Sequence, residues 1–132
     1  MTERSPLSET VIWPTHFPRN CPPPDADSLS HVVYYLVASK PPIPDDFRSA
    51  LERGSFVGKP ECQRASLSCG LKFDDISSLQ KSIPRLRNFM VSIAKLREEH
   101  GKIMQTGNPG HYSLWLFGNA LLAAPKLFEV PE

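Results

Sequence analysis

His111 stands directly behind the turn Gly107-Asn108-Pro109-Gly110 and opens an aromatic run with Tyr112, Ser113 and Trp115. An imidazole at the mouth of such a turn suits general-base work or the orientation of a polar ligand. Ser66 and Ser68 lie two apart on a segment of alternating polarity, which puts their hydroxyls on one face. With Glu129 as a late carboxylate, His111, Tyr112, Ser66 and Ser68 form the set from which an enzyme acting on a small polar substrate would be assembled. That reading requires the set to converge on one pocket. The rival reading makes His111 and Tyr112 half-exposed cover for an aromatic strand.

Other constellations are weaker. Cys62, Cys69, His100 and His111 are ligand types that zinc accepts, but six residues separate the two cysteines where compact sites have two to four. No metal site is expected, and the cysteines read as small buried apolar groups. Nothing beside Cys21, Cys62 or Cys69 would lower a thiol pKa, so none reads as a nucleophile. Neither G-x-x-x-x-G-K-[ST] nor G-x-G-x-x-G occurs, which disfavours Walker-type nucleotide hydrolysis, and the motifs imply no cofactor. Residues 81–102 hold six Lys and Arg against Glu98 and Glu99, including Arg85 and Arg87. Such a face could meet an acidic partner, but it lacks the interleaved aromatics of a single-strand binder, and it reads first as a solvated exterior.

The elements that must position these residues follow from periodicity. Nine of the 14 prolines fall in the first 44 residues. Residues 1–28 therefore read as an extended, proline-rich arm, although Val11, Ile12, Trp13 and Phe17 give it apolar anchors and a short strand at 10–13 is conceivable. The β-branched and aromatic run at 32–37 reads as a central strand ended by Pro41 and Pro42. Pro44, Asp45 and Asp46 open a helix stopped by Gly54. Residues 63–69 alternate as a half-buried strand. Asp74 to Leu79 reads as a short helix, and Pro84 begins a second, with Leu86, Phe89, Met90 and Ile93 on one stripe. The competing assignment there is a strand through Phe89, Val91 and Ile93. Residues 111–117 read as a strand and residues 126–130 as a further one.

The chain has 132 residues, 15 Lys and Arg against 14 Asp and Glu, and 40% hydrophobic residues. That describes one α+β domain, residues 29–132, with a small mixed or antiparallel sheet and two to three helices behind the arm. Its near-neutral charge makes nucleic acid an unlikely ligand. An odd, sparse cysteine count and a start without a signal pattern point to the cytoplasm, and the longest apolar run, seven residues at 32–38, provides no membrane anchor.

The strand at 32–37, the helix ending at Gly54 and the strand Ser66-Leu67-Ser68 together resemble the opening of ADP-ribosyltransferase-like folds, where an S-x-S strand helps hold the nicotinamide end of NAD. The likeness covers about 40 residues. Tyr34 and Tyr35 stand where one class of that family has an arginine, and Glu129 is the one residue near the family's late glutamate position, with no E-x-E pair. The resemblance implies NAD use. Without a convergent catalytic set in the sequence, the leading expectation is a small binding or accessory protein that meets a protein partner or another copy of itself. Trp13, Phe17, Trp115, Arg85 and Arg87 are its expected contacts. An enzyme on a nucleotide-like small molecule is the alternative.

Overall fold

A computed structural model describes residues 12–131. The strands β1 (Asp27–Ser28), β2 (His31–Val37), β3 (Leu67–Cys69), β4 (Met90–Leu96), β5 (Gly101–Gln105) and β6 (Tyr112–Leu116) form two antiparallel sheets. One is ordered β1-β5-β6-β3 and the other pairs β2 with β4. Four α-helices accompany them among the described residues: α1 (Ala50–Arg53), α2 (Glu61–Arg64), α3 (Phe73–Ser82) and α4 (Gly118–Leu127). The fold is a single α+β domain.

β2 forms where β-branched and aromatic residues are most concentrated, and all seven of its residues find partners on β4, from His31 opposite Leu96 to Val37 opposite Met90. This pairing corrects the helix expected behind Pro84. Pro84 opens only a short 3-10 turn, Pro84–Leu86, after which residues 90–96 alternate as a strand that buries Ser92, Ala94 and Leu96. Seven rungs against β2, with β-branched Val91 and Ile93 among them, outweigh the helical stripe. Two further assignments shift. Residues 63 and 64 of the expected 63–69 strand belong to α2, and β3 begins only at Leu67. Residues 126 and 127 of the segment expected as a last strand belong to α4, which is built on the helix-favouring run from Ala120 to Ala124 with Pro125 in its last turn, and of residues 128–130 only Glu129 bridges Ile93 on β4. Of the strand suggested at 10–13, Ile12 and Trp13 are irregular, and residues 10 and 11 lie outside the described residues.

The helix expected from Pro44 is interrupted, since Pro44–Phe47 is a short 3-10 turn and α1 starts afresh at Ala50 with Ser49 and Glu52 capping it reciprocally, but Gly54 does end it, at φ 73°. Leu114 and Leu116 turn one face of β6 toward the main core of Val33, Val37, Phe47, Leu96 and Phe128. The opposite face carries Trp115, which is 1% exposed beneath residues 13–26. Its indole Nε1 donates to the Cys62 carbonyl at 2.9 Å. Cys21 and Cys62 are joined in a disulfide with Cα atoms 5.4 Å apart, so they are not the free apolar thiols expected; Cys69 alone remains a buried thiol. No helix among the described residues is long and apolar enough to cross a membrane.

Because the disulfide closes a separation of 41 residues, reducing it is expected to lower unfolding stability by about 4 kcal/mol on chain entropy. Urea midpoints with and without a dithiol measure this, and coincident curves would show that the cross-link does not hold residues 12–26 in place. Burial also keeps the Tyr35 phenol and the Cys69 thiol protonated well above their ordinary values of 10.0 and 9.0. Both groups ionise more easily in the unfolded chain. Their contribution is therefore complete below about pH 8.5 and is lost as pH climbs through 9 and 10. The urea midpoint should fall from about pH 9 upward, with Cys69→Ala flattening the first part of that decline.

Candidate functional site

Beside their packing through the main core, the two sheets share one backbone bridge among the described residues. Tyr34 N–H donates to the Gly70 carbonyl at 2.8 Å and Gly70 N–H returns a bond to Tyr34 at 3.0 Å, an isolated antiparallel bridge. Running from that bridge, β2 goes on through Tyr35, Leu36 and Ala38 while β3 goes back through Ser68, Leu67 and Ser66, and the pairing is not continued. Just beyond the end of β2, a side chain takes the place of a strand partner at Ala38. The Ala38 N–H, which a neighbouring strand would otherwise receive, donates to Asp46 Oδ1 at 2.8 Å, and Asp46 Oδ2 accepts from Ile43 N–H at 2.9 Å. The opening between the strands is a cleft of about 360 Å³ lined by both of them, by the loops 45–59 and 83–89, and by Gly107, Asn108 and His111. That is the size of a pocket for a small organic ligand.

Ser68 and His111 meet in this cleft. Register places Ser68 opposite Ser113 on β6, and the turn behind β5 returns His111 beside it, with His111 Nε2 3.1 Å from Ser68 Oγ. The other ring nitrogen, Nδ1, lies 2.9 Å from the Thr106 carbonyl. A carbonyl only accepts, so the proton belongs on Nδ1 and Nε2 is the lone pair that receives the Ser68 hydroxyl proton. Thr106 Oγ1, 3.1 Å from Nδ1 and 2.8 Å from Ser113 Oγ, ties the ring to a fully buried hydroxyl. A hydroxyl, a base and a group orienting the base are thus aligned in sequence.

The rim is positive. Arg48, Arg53, Lys59, Arg64 and Arg85 line the cleft against Asp45 and Asp46. Asp45 lies 3.5 Å from Arg48 and 3.8 Å from Arg53, and Arg64 Nε donates to the Ser55 carbonyl at 2.9 Å. Among the described residues Lys59 and Arg85 pair with no carboxylate, which leaves a net attraction for an anion. Arg85 is placed by Gln80, whose side-chain amide donates to the carbonyls of Leu86, Arg87 and Phe89 and pins the loop to α3.

The structure brings together Ser66, Ser68, His111 and Arg85 from the residues singled out in the sequence. Ser66 supports the site rather than reacting, since it is buried and its hydroxyl donates to the Gln63 carbonyl at 2.6 Å. Tyr112 is elsewhere: strand alternation turns it into the main core, beside Leu114 and away from Ser113. Glu129 is also apart, exposed on the edge of β4 remote from β2. Arg87 is exposed outside the cleft. Trp115 corrects the expectation of a contact surface, because its ring fills the space under residues 13–26. Trp13 and Phe17 pack there too, half-buried, with the Trp13 ring 4.4 Å from Phe117. Sequence reading missed Thr106, Phe56 and the cations before residue 81. Thr106 had a signal in its place just before the Gly107 turn, opposite His111.

Comparison of the chain with protein families, curated proteins and solved structures gives no match.

Asp46 is 9% exposed and replaces a strand partner for Ala38. Asp46→Ala is therefore expected to destabilise the fold by about 1–3 kcal/mol, since it removes the acceptor of two part-buried backbone donors. Asp45→Ala, at an exposed pair, should change stability by less than about 1 kcal/mol. Equal urea midpoints for the two variants would remove Asp46 as the prop of the cleft.

Proposed function

We propose that this chain is an enzyme acting on a small, anionic, nucleotide-like substrate held in the cleft between the two sheets, with Ser68 as the attacking hydroxyl and His111 as its base. The observation that carries the reading is the 3.1 Å contact between Ser68 Oγ and His111 Nε2 inside a cleft rimmed by cations. In the step this geometry supports, Ser68 Oγ bonds to an electrophilic centre of the substrate as its proton moves to His111 Nε2. The bond to the leaving group breaks, and that group takes the proton back from Nε2; water, giving its proton to Nε2, then displaces Ser68 Oγ from the bound fragment, and Nε2 returns the proton to Ser68. The Thr106 carbonyl keeps Nδ1–H in place and so fixes the tautomer that leaves Nε2 free to accept the proton. Lys59, Arg64 and Arg85 supply the charge that would hold phosphate.

NAD belongs among the first substrates to try, because Ser66-Leu67-Ser68 lies on the cleft wall as the resemblance to ADP-ribosyltransferase-like folds would have it. The remote Glu129 removes that family's late carboxylate from the proposal. A role through protein contacts draws less support, since Trp13, Phe17 and Trp115 spend their apolar surface on the chain itself. The Cys21–Cys62 disulfide is a cross-link that oxidising compartments preserve, and it weighs against the reducing cytosol suggested by the cysteine count.

The test is turnover of AMP, ADP and NAD followed by phosphorus NMR and nucleotide chromatography, with calorimetry for binding. Ser68→Ala and His111→Gln are each expected to lower turnover by about 10²-fold or more while changing substrate affinity only a few-fold. Full turnover in Ser68→Ala would end the proposal.

A further inference from the structure

We infer that Phe56 is the stacking residue of this cleft, and hence that the substrate carries a planar aromatic base beside its anionic group. The inference deepens the reading above and rests on the cleft being the ligand site. Phe47, Phe117 and Phe128 are buried, and of the two exposed phenylalanines Phe73 lies outside the cleft while Phe56, 49% exposed, stands on its wall. Among the described residues it packs on no other aromatic ring, unlike Phe47, which stacks with Tyr35. Phe89, the other phenylalanine of the wall, is already engaged with Leu36, Ile76 and Leu86.

The backbone keeps Phe56 where it is against its own preference. Its φ is 55°, a left-handed conformation that a bulky residue rarely takes. The neighbouring peptides hold it there. Ser55 N–H donates to the Ala50 carbonyl at 2.8 Å, the Ser55 carbonyl accepts from Arg64 Nε at 2.9 Å, and the Phe56 carbonyl accepts from Lys59 N–H at 3.0 Å. A glycine would satisfy these bonds without strain, so neither local folding nor packing accounts for a phenyl ring here. Strain of this kind gathers at ligand sites. The residues that fix the turn, Lys59 and Arg64, are also cations of the rim. One short loop therefore presents an aromatic face together with two positive charges, the pairing that recognises a base and its phosphate.

Binding of AMP and ribose 5-phosphate, measured by calorimetry, isolates the ring, because the two share the sugar phosphate and differ in the base. The native chain is expected to bind AMP on the order of tenfold more tightly than ribose 5-phosphate. Phe56→Gly should erase that preference, leave ribose 5-phosphate affinity unchanged and hold or raise the melting temperature, whereas Phe56→Trp should keep the preference. If ribose 5-phosphate binds and AMP gains nothing over it, the assignment of Phe56 falls while the anion cleft stands. If Phe56→Gly weakens both ligands alike, Phe56 only supports the loop and the assignment is again overturned. If neither ligand binds, the cleft reading and the Phe56 assignment fail together.

Discussion

A pair of backbone hydrogen bonds between Tyr34 and Gly70 is the constraint on which the rest of the structure depends. Among the described residues it is the one rung shared by the two sheets, so it sets the distance between them at one end and lets them part at the other. Gly70 suits the joint because a Cβ there would lie 2.8 Å from the Asp75 Cβ at the start of α3. Past the parting, Asp46 rather than β3 receives the Ala38 N–H. Backbone donors leaving a strand must be satisfied somewhere, and at the end of β2 a carboxylate rather than β3 satisfies one of them.

The reverse side of the four-stranded sheet is closed by a different device. Trp115 needs both apolar cover and an acceptor for its indole N–H, and the segment around Cys62 meets the second need while residues 13–26 meet the first. The Cys21–Cys62 disulfide ties the two together. The same short helix α2 that carries Cys62 also carries Gln63 and Arg64 on the cleft wall, so the packing behind the sheet and the charge in front of it share one element.

Within the cleft, precision comes from secondary structure rather than from long side chains. Ser68 is fixed by its register with Ser113, and His111 is fixed by the turn that closes the β5–β6 hairpin, where Thr106 N–H donates to the His111 carbonyl at 3.0 Å. Gly110 permits that turn, with φ 87° and the Asp75 carboxylate 2.6 Å from where a Cβ would sit. A base and a hydroxyl held by strands and a tight turn lose little freedom on meeting a substrate.

Local chemistry made part of this legible without coordinates. The β-branched and aromatic content of residues 32–37, the glycine stop at Gly54, the acidic start of α3 and the turn before His111 are all decided by residues close in sequence, and each appears where the sequence indicates. Residues 90–96 were ambiguous because Phe89, Met90 and Ile93 satisfy a helical stripe as well as Val91 and Ile93 satisfy a strand, and only the presence of β2 alongside decides between them. Tyr112 and His111 adjoin in sequence, yet strand alternation sends one into the core and the other into the cleft. The pairing of Cys21 with Cys62 and of Ser68 with His111 spans 41 and 43 residues, and no local pattern encodes separations of that length. The sequence by itself determined the strands, turns and polar side chains available; the tertiary structure alone decided which of them face one another, because that depends on where two sheets stop pairing.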